Sequence, residues 1–250
     1  MARYPRRVRN TSLILAFGCW LVAAEPPSNL AKLVAARETE NEAARAEYTY
    51  RQTVTIEEFD RRNMRSGEYH EARDIVFLPG KERAERFVGR PRNTLTRLKL
   101  TEEDFRDIRE VQPMLLTADL LWIYQVRFRG EETVESQDCW VLETRPRQIL
   151  QGQRLFDGLL WVEKQGLSII RTQGQAVPQI RGTKTENLFP RFTTIRGKIE
   201  GHWFPIYTHA DDVLEFRSGP QRILMRIRYS DYKRFGAEST VKFGDAAPEK

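Results

Sequence analysis

Few side chains in this sequence are spaced for chemistry. His202, His209 and Asp211 stand close together in the chain, and imidazole with carboxylate is a donor set that binds zinc. His209 and Asp211 would share one face of a strand, where the plainer reading is a rim cluster on a strand pair. Asp211-Asp212 and Glu102-Glu103-Asp104 offer paired carboxylates. The first pair fits a turn or a sheet edge, and the second fits the acidic first turn of a helix. Cys139 lies between Asp138 and Trp140 in a strand-like stretch, which suits a small packing residue better than a nucleophile. The sequence contains no Gly-x-Ser-x-Gly elbow, phosphate-binding or dinucleotide glycine pattern, or His-Glu-x-x-His helix. The expectation is a protein with no catalytic residues, no metal and no cofactor.

Arginine is the chemistry the chain has in excess, with 32 Arg among 41 basic residues. A planar guanidinium recognises phosphate or carboxylate, whereas a row of arginines can also simply solvate one sheet face. Arg61-Arg62 and Arg90-Pro91-Arg92 are the runs placed to touch a headgroup or a partner. The formal charge of +6 invites a nucleic-acid reading until its position is considered. Arg3, Arg6, Arg7 and Arg9 precede the short apolar run Leu13–Val22, and Ala23-Ala24 is followed by Glu25-Pro26-Pro27. This is the pattern of an export signal cut after Ala24, and the run is too short to span a bilayer of roughly 30 Å. Two variants stay open, a lipid anchor at Cys19 and a retained membrane anchor. Arg6-Arg7 lacks the apolar residues that follow in a twin-arginine signal. Cleavage takes the charge from +6 to +2 and removes Cys19. What remains is dispersed charge on an exported, periplasmic chain, which argues against nucleic acid.

The elements that position these residues are a helix followed by many strands. Ser28-Asn29 can cap a helix from about Leu30 to Glu47, with Leu30, Leu33, Val34 and Arg37 on one face and Glu38, Glu40, Glu42 and Arg45 solvated. The period then changes to two, and strands are expected at about 48–57, 69–78 and 83–88. Gly89–Thr96 reads as a basic loop, and Thr101-Glu102-Glu103-Asp104 opens a short helix that ends before Pro113. Met114 to Trp122 is an apolar insertion. Strands resume at about 122–130, 137–145, 155–164, 167–174, 189–200, 202–217 and 221–235, with hairpin turns at Glu163–Gly166 and Glu200-Gly201. Residues 25–235 read as one domain, and 236–250 as a frayed tail. The fold class is mainly β (α+β): a large curled antiparallel sheet, an incomplete β-barrel, with an N-terminal helix and a helical lid over an apolar cavity.

Gly158-Leu159-Leu160-Trp161-Val162-Glu163, followed after a turn by Leu167-Ser168-Ile169-Ile170-Arg171-Thr172, resembles the outer-membrane lipoprotein-sorting superfamily. Its members include the periplasmic lipoprotein carrier, its receptor and a related sensor of envelope stress. Trp203-Phe204-Pro205 and Asn187–Thr194 resemble an unassigned bacterial branch. The resemblance covers roughly residues 25 to 235 and implies a half-barrel whose hydrophobic cavity takes acyl chains. It assigns no role to any arginine, Arg37 and Arg92 included. Cavity and lid candidates are Leu115, Leu116, Leu120, Leu121 and Trp122 from the insertion, Tyr124, Val126 and Phe128 from the next strand, and Ile223, Met225 and Ile227 from the last. The function expected is non-enzymatic transport of a lipid or lipoprotein acyl chain by a monomer that meets inner- or outer-membrane lipoprotein-handling proteins. The alternative is envelope-stress sensing, or a protein-interaction module on the same fold.

Overall fold

Strict alternation of apolar and polar residues along long segments builds one curled antiparallel sheet in the computed structural model, which describes residues 25–78, 82–111, 116–149, 152–181 and 186–235. The strands are β1 Tyr48–Phe59, β2 Arg65–Phe77, β3 Arg83–Phe87, β4 Arg92–Asn93, β5 Tyr124–Val134, β6 Gln137–Pro146 and β7 Leu155–Glu163. They continue with β8 Ile169–Val177, β9 Ile180–Arg181, β10 Glu186–Asn187, β11 Phe192–Ile199, β12 His202–Phe216 and β13 Gly219–Arg234. The spatial order is β3-β2-β1-β13-β12-β11-β8-β7-β6-β5, with β4 added against β2 and β9-β10 forming a separate small hairpin. Chain neighbours pair except where β1 meets β13, β2 meets β4 and β8 meets β11. β3 and β5 lie at opposite ends of the sheet, which does not close into a barrel.

Turn chemistry sets the register. The two-residue loops Glu135-Ser136 and Glu200-Gly201 have positive φ at both positions, the geometry whose twist matches that of the flanking strands. At the β7–β8 turn the Glu163 carboxylate accepts the Gln165 and Gly166 N–H groups at 3.0 and 2.8 Å. Arginine–carboxylate pairs run across the polar face of β1, β2, β12 and β13, including Arg226–Glu57 at 2.6 Å and Arg222–Asp211 at 2.7 Å.

Helix α1, Leu30–Arg45, and the segment from Thr101 to Ile123 cover the concave face. Asn29 occupies the N-cap of α1 without a side-chain cap bond. Here one expectation needs correction. Glu38 is not solvated; it is fully buried, and the Arg196 guanidinium donates to both its oxygens at 3.0 and 2.8 Å. Helical periodicity places Leu30, Val34, Glu38 and Asn41 on the inner face, and β11 supplies the cation that makes a carboxylate tolerable there. In the lid, Thr101 and Asp104 form the expected capping box, and α2, Glu102–Arg106, runs on into a π-helical turn at Asp107–Val111. Ile108, Val111 and Leu116 enter the main core, and a 3-10 turn at Leu121–Ile123 leads into β5.

A second apolar cluster lies on the opposite face of the sheet. Cys139, Val141, Trp161 and Ile170 are buried there, while their chain neighbours Trp140, Leu142, Leu160 and Ile169 belong to the main core. Burial pushes the Cys139 thiol up to about 11, so this sulfur is a packing atom at neutral pH.

Candidate functional site

Buried side chains occupy the concave face beneath the lid, and an open cleft remains where α1, the lid and the sheet meet. It measures about 350 Å³. Glu42 and Arg45 from the end of α1, Arg109, Glu110 and Val111 from the lid, and Leu120 form its upper wall. Tyr124 at the start of β5 and Arg154, Leu155 and Phe156 at the start of β7 form its floor. The Tyr124 hydroxyl accepts the Phe156 N–H at 3.3 Å, which ties the two floor strands together. Burial raises the Tyr124 phenol above its ordinary value, so it stays neutral.

Polar contacts latch the lid over this cleft. Arg154 pairs with Asp107 at 2.9 Å, with both side chains buried, and also donates to Asn187. Asn187 in turn donates to Thr101 at 2.8 Å and to Asp104 at 3.0 Å. Burial drives the Asp107 carboxyl up to about 7, against the attraction of Arg154 and helped by Asp104 and Glu110. Burial also raises Asp104, although hydrogen bonds from Thr101 and Asn187 oppose it. The approach to the lid is held separately. Glu58, buried at the end of β1, accepts the N–H groups of Thr96, Arg97 and Leu98 at 2.7, 3.0 and 2.8 Å. Burial alone would raise this carboxyl, yet those donors and the Thr96 hydroxyl together hold it below the usual range.

The expected cavity residues divide between cleft, core and surface. Leu120 and Tyr124 line the cleft. Leu116, Ile223, Met225 and Ile227 are fully buried in the core and do not line it. Leu121 and Val126 are partly buried against the core. Trp122 is 74% exposed and Phe128 44% exposed. Phe128 leaves the core because β5 is an edge strand with an irregularity between Phe128 and Gly130. Leu115 lies outside the described residues, as do the export signal at 1–24 and the tail at 236–250. The cleft arginines Arg45, Arg109 and Arg154, with Leu155 and Phe156, were not singled out by the sequence. They come from three separate segments, and no local pattern links them.

His202, His209 and Asp211 also go separate ways. Asp211 is held by Arg222, His202 stacks on Phe204, and His209 stacks on Tyr207. Among the described residues no three His, Cys, Asp or Glu side chains gather as a metal site. No helix among them is long and apolar enough to cross a membrane.

No family model matches the sequence, and no curated protein matches it. Several solved structures are similar. One is a DUF1329 family protein from Desulfovibrio piger, at 15% identity and TM-score 0.46, covering 86% of this chain and 96% of that one. Another is a LolA superfamily protein from Nitrosomonas europaea, at 16% identity and TM-score 0.38, covering 86% and 95%. A third is a putative outer membrane lipoprotein-sorting protein domain from Vibrio parahaemolyticus, at 10% identity and TM-score 0.34, covering 81% and 92%. Each is a likeness in the course of the chain, and none identifies a ligand.

Proposed function

We propose that this chain is an exported, non-enzymatic binding protein that takes the acyl chain of a lipid or lipoprotein under its lid. The observation that carries this reading is the cleft itself. It has an apolar floor of Tyr124, Leu155 and Phe156 and an apolar wall of Val111 and Leu120, with Arg45, Arg109 and Arg154 alongside Glu42 and Glu110 around it, Arg109 paired with Glu102 and Arg154 with Asp107. An apolar floor with basic groups beside it suits a molecule that is apolar at one end and anionic at the other.

The size of the opening sets the mechanism. A cleft of about 350 Å³ lies at the small end of the range for ligand pockets, roughly 300–1,000 Å³. Ile108, Val111 and Leu116 fill the space beneath the lid. An acyl chain therefore enters by displacing the lid and replacing those side chains on the concave face. Each methylene transferred from water stabilises the complex by about 0.8 kcal/mol. The polar latch at Asp107, Arg154 and Asn187 resists that displacement and must be looser in the loaded state.

Native mass spectrometry of the protein purified from the periplasm tests the reading. The expected result is a co-purified lipid mass that Leu120→Asp diminishes, with acyl-probe affinity falling about 10- to 100-fold, because covering a leucine side chain on binding is worth about 1.5–3 kcal/mol. A wild-type protein that carries no lipid and binds no added acyl probe would contradict it.

A further inference from the structure

A second groove lies on the opposite face of the sheet, and its chemistry differs from that of the cleft. It measures about 460 Å³ and runs between the tip of the β5–β6 hairpin and strands β8, β11 and β12. Val134, Ile170, Ile195 and Trp203 give it apolar walls, and Arg171 and His209 also line it. The register explains how they meet. Arg171 on β8 pairs with Ile195 on β11, and Thr193, two residues earlier on β11, pairs with His209 on β12. The Arg171 guanidinium and the His209 imidazole, which burial and Arg171 hold towards its neutral form, thus flank β11 diagonally, across two inter-strand spacings or about 10 Å of sheet.

One buried nitrogen on each side chain is left without a partner. Arg171 Nε and His209 Nδ1 are shielded from solvent, and among the described residues neither has a hydrogen-bond partner. No carboxylate pairs with Arg171 there either, in a protein where arginines such as Arg226, Arg222 and Arg129 each hold one. Two acids line the groove, Glu132 and Glu135, and neither forms an ion pair with Arg171. Glu132 accepts the Trp161 indole N–H at 2.7 Å, while the Arg171 guanidinium lies over the face of the same indole at 4.6 Å. Shielded donors without acceptors cost free energy, about 1–3 kcal/mol for each group. An anion seated between them would recover that cost and gain charge-assisted hydrogen bonds.

We propose that this groove is a binding site for an oxyanion, a phosphate or carboxylate, whose apolar body lies along Val134, Ile170, Ile195 and Trp203. It is a different site from the lid cleft, on the other side of the sheet, and the two can be occupied independently.

Titration of the protein in a Trp122→Phe background, which removes the exposed tryptophan beside the lid cleft, with four probes tests the proposal, read by tryptophan fluorescence. The probes are dodecyl phosphate, laurate, inorganic phosphate and the uncharged dodecyl maltoside. Dodecyl phosphate and laurate are expected to perturb the tryptophans saturably, and dodecyl maltoside is not. Arg171→Gln and His209→Gln should each weaken that binding, the arginine change by about 10- to 100-fold, because hydrogen bonds to charged groups are worth about 1.5–3 kcal/mol. Leu155→Asp, in the lid cleft, should leave it unchanged. Inorganic phosphate separates the two sources of the anion: weak binding assigns the seat to a headgroup, and binding as tight as dodecyl phosphate assigns it to a free ion. Unaltered affinity in both groove variants, with thermal unfolding midpoints confirming that they fold, would overturn the proposal. So would maltoside binding as tightly as the phosphate.

Discussion

Glu38 and Arg196 show how much one pair of residues decides. Both side chains are almost completely buried, and the pair fixes α1 to β11. Removing one partner strands a charge in the interior, so Glu38→Ala should destabilise the fold by about 3–5 kcal/mol in denaturant unfolding. A Glu38→Met, Arg196→Met double variant should recover most of that loss. No recovery would mean that the pair is not the unit that matters. Asp107 carries the second residue-scale prediction. Its carboxyl is raised from 3.8 in the ordinary state to about 7 in the folded one. The folded lid therefore holds the proton more tightly, and its stability is greatest below about pH 4 and declines as the pH rises towards 7. Amide exchange at residues 105–111, corrected for intrinsic rates, should show protection falling between pH 5 and 7.5. Asp107→Asn should flatten that slope, and protection rising with pH would contradict the assignment.

At the scale of elements, β7 and β8 explain why glycine stands where it does in the motif. Gly158 and Gly174 pair directly across the two strands, and the Phe156 ring covers both. A Cβ on Gly158 would meet the Gln173 carbonyl oxygen at 2.3 Å, and one on Gly174 the Asp157 oxygen at 2.4 Å. Gly158→Ala or Gly174→Ala should therefore lower stability by about 1–3 kcal/mol through overpacking, read as a shift in unfolding midpoint without a change in slope. Most of the long strands were legible because they alternate at period two, and their ends fall within a few residues of those expected, whereas the two-residue strands β4, β9 and β10 were not foreseen. The lid's start was legible in Thr101 and Asp104 for the same local reason. Glu38 was not, because its partner lies 158 residues away. The second apolar cluster did leave a trace. Cys139–Leu142 and Leu159–Val162 are uninterrupted apolar runs, which a strand buried on both faces requires.

Across the whole molecule, the sheet works as a partition with a different solvent problem on each side. The concave side is covered by α1 and the lid, and the cleft opens where they meet the sheet. The other side carries a lattice of arginine–carboxylate pairs, interrupted over the central strands β8, β11 and β12 by the Arg171–His209 groove. The curled open sheet and the latched lid fit the proposed carrier function, in which little of the interior is exposed until a ligand displaces the cover. Photolabelling with a diazirine-bearing palmitate, followed by peptide mapping, tests this most directly. The account predicts labels on peptides spanning 118–126 and 152–160, suppressed by unlabelled palmitate and reduced by Leu120→Asp. Labels that avoid both peptides, or that unlabelled palmitate does not suppress, would contradict it.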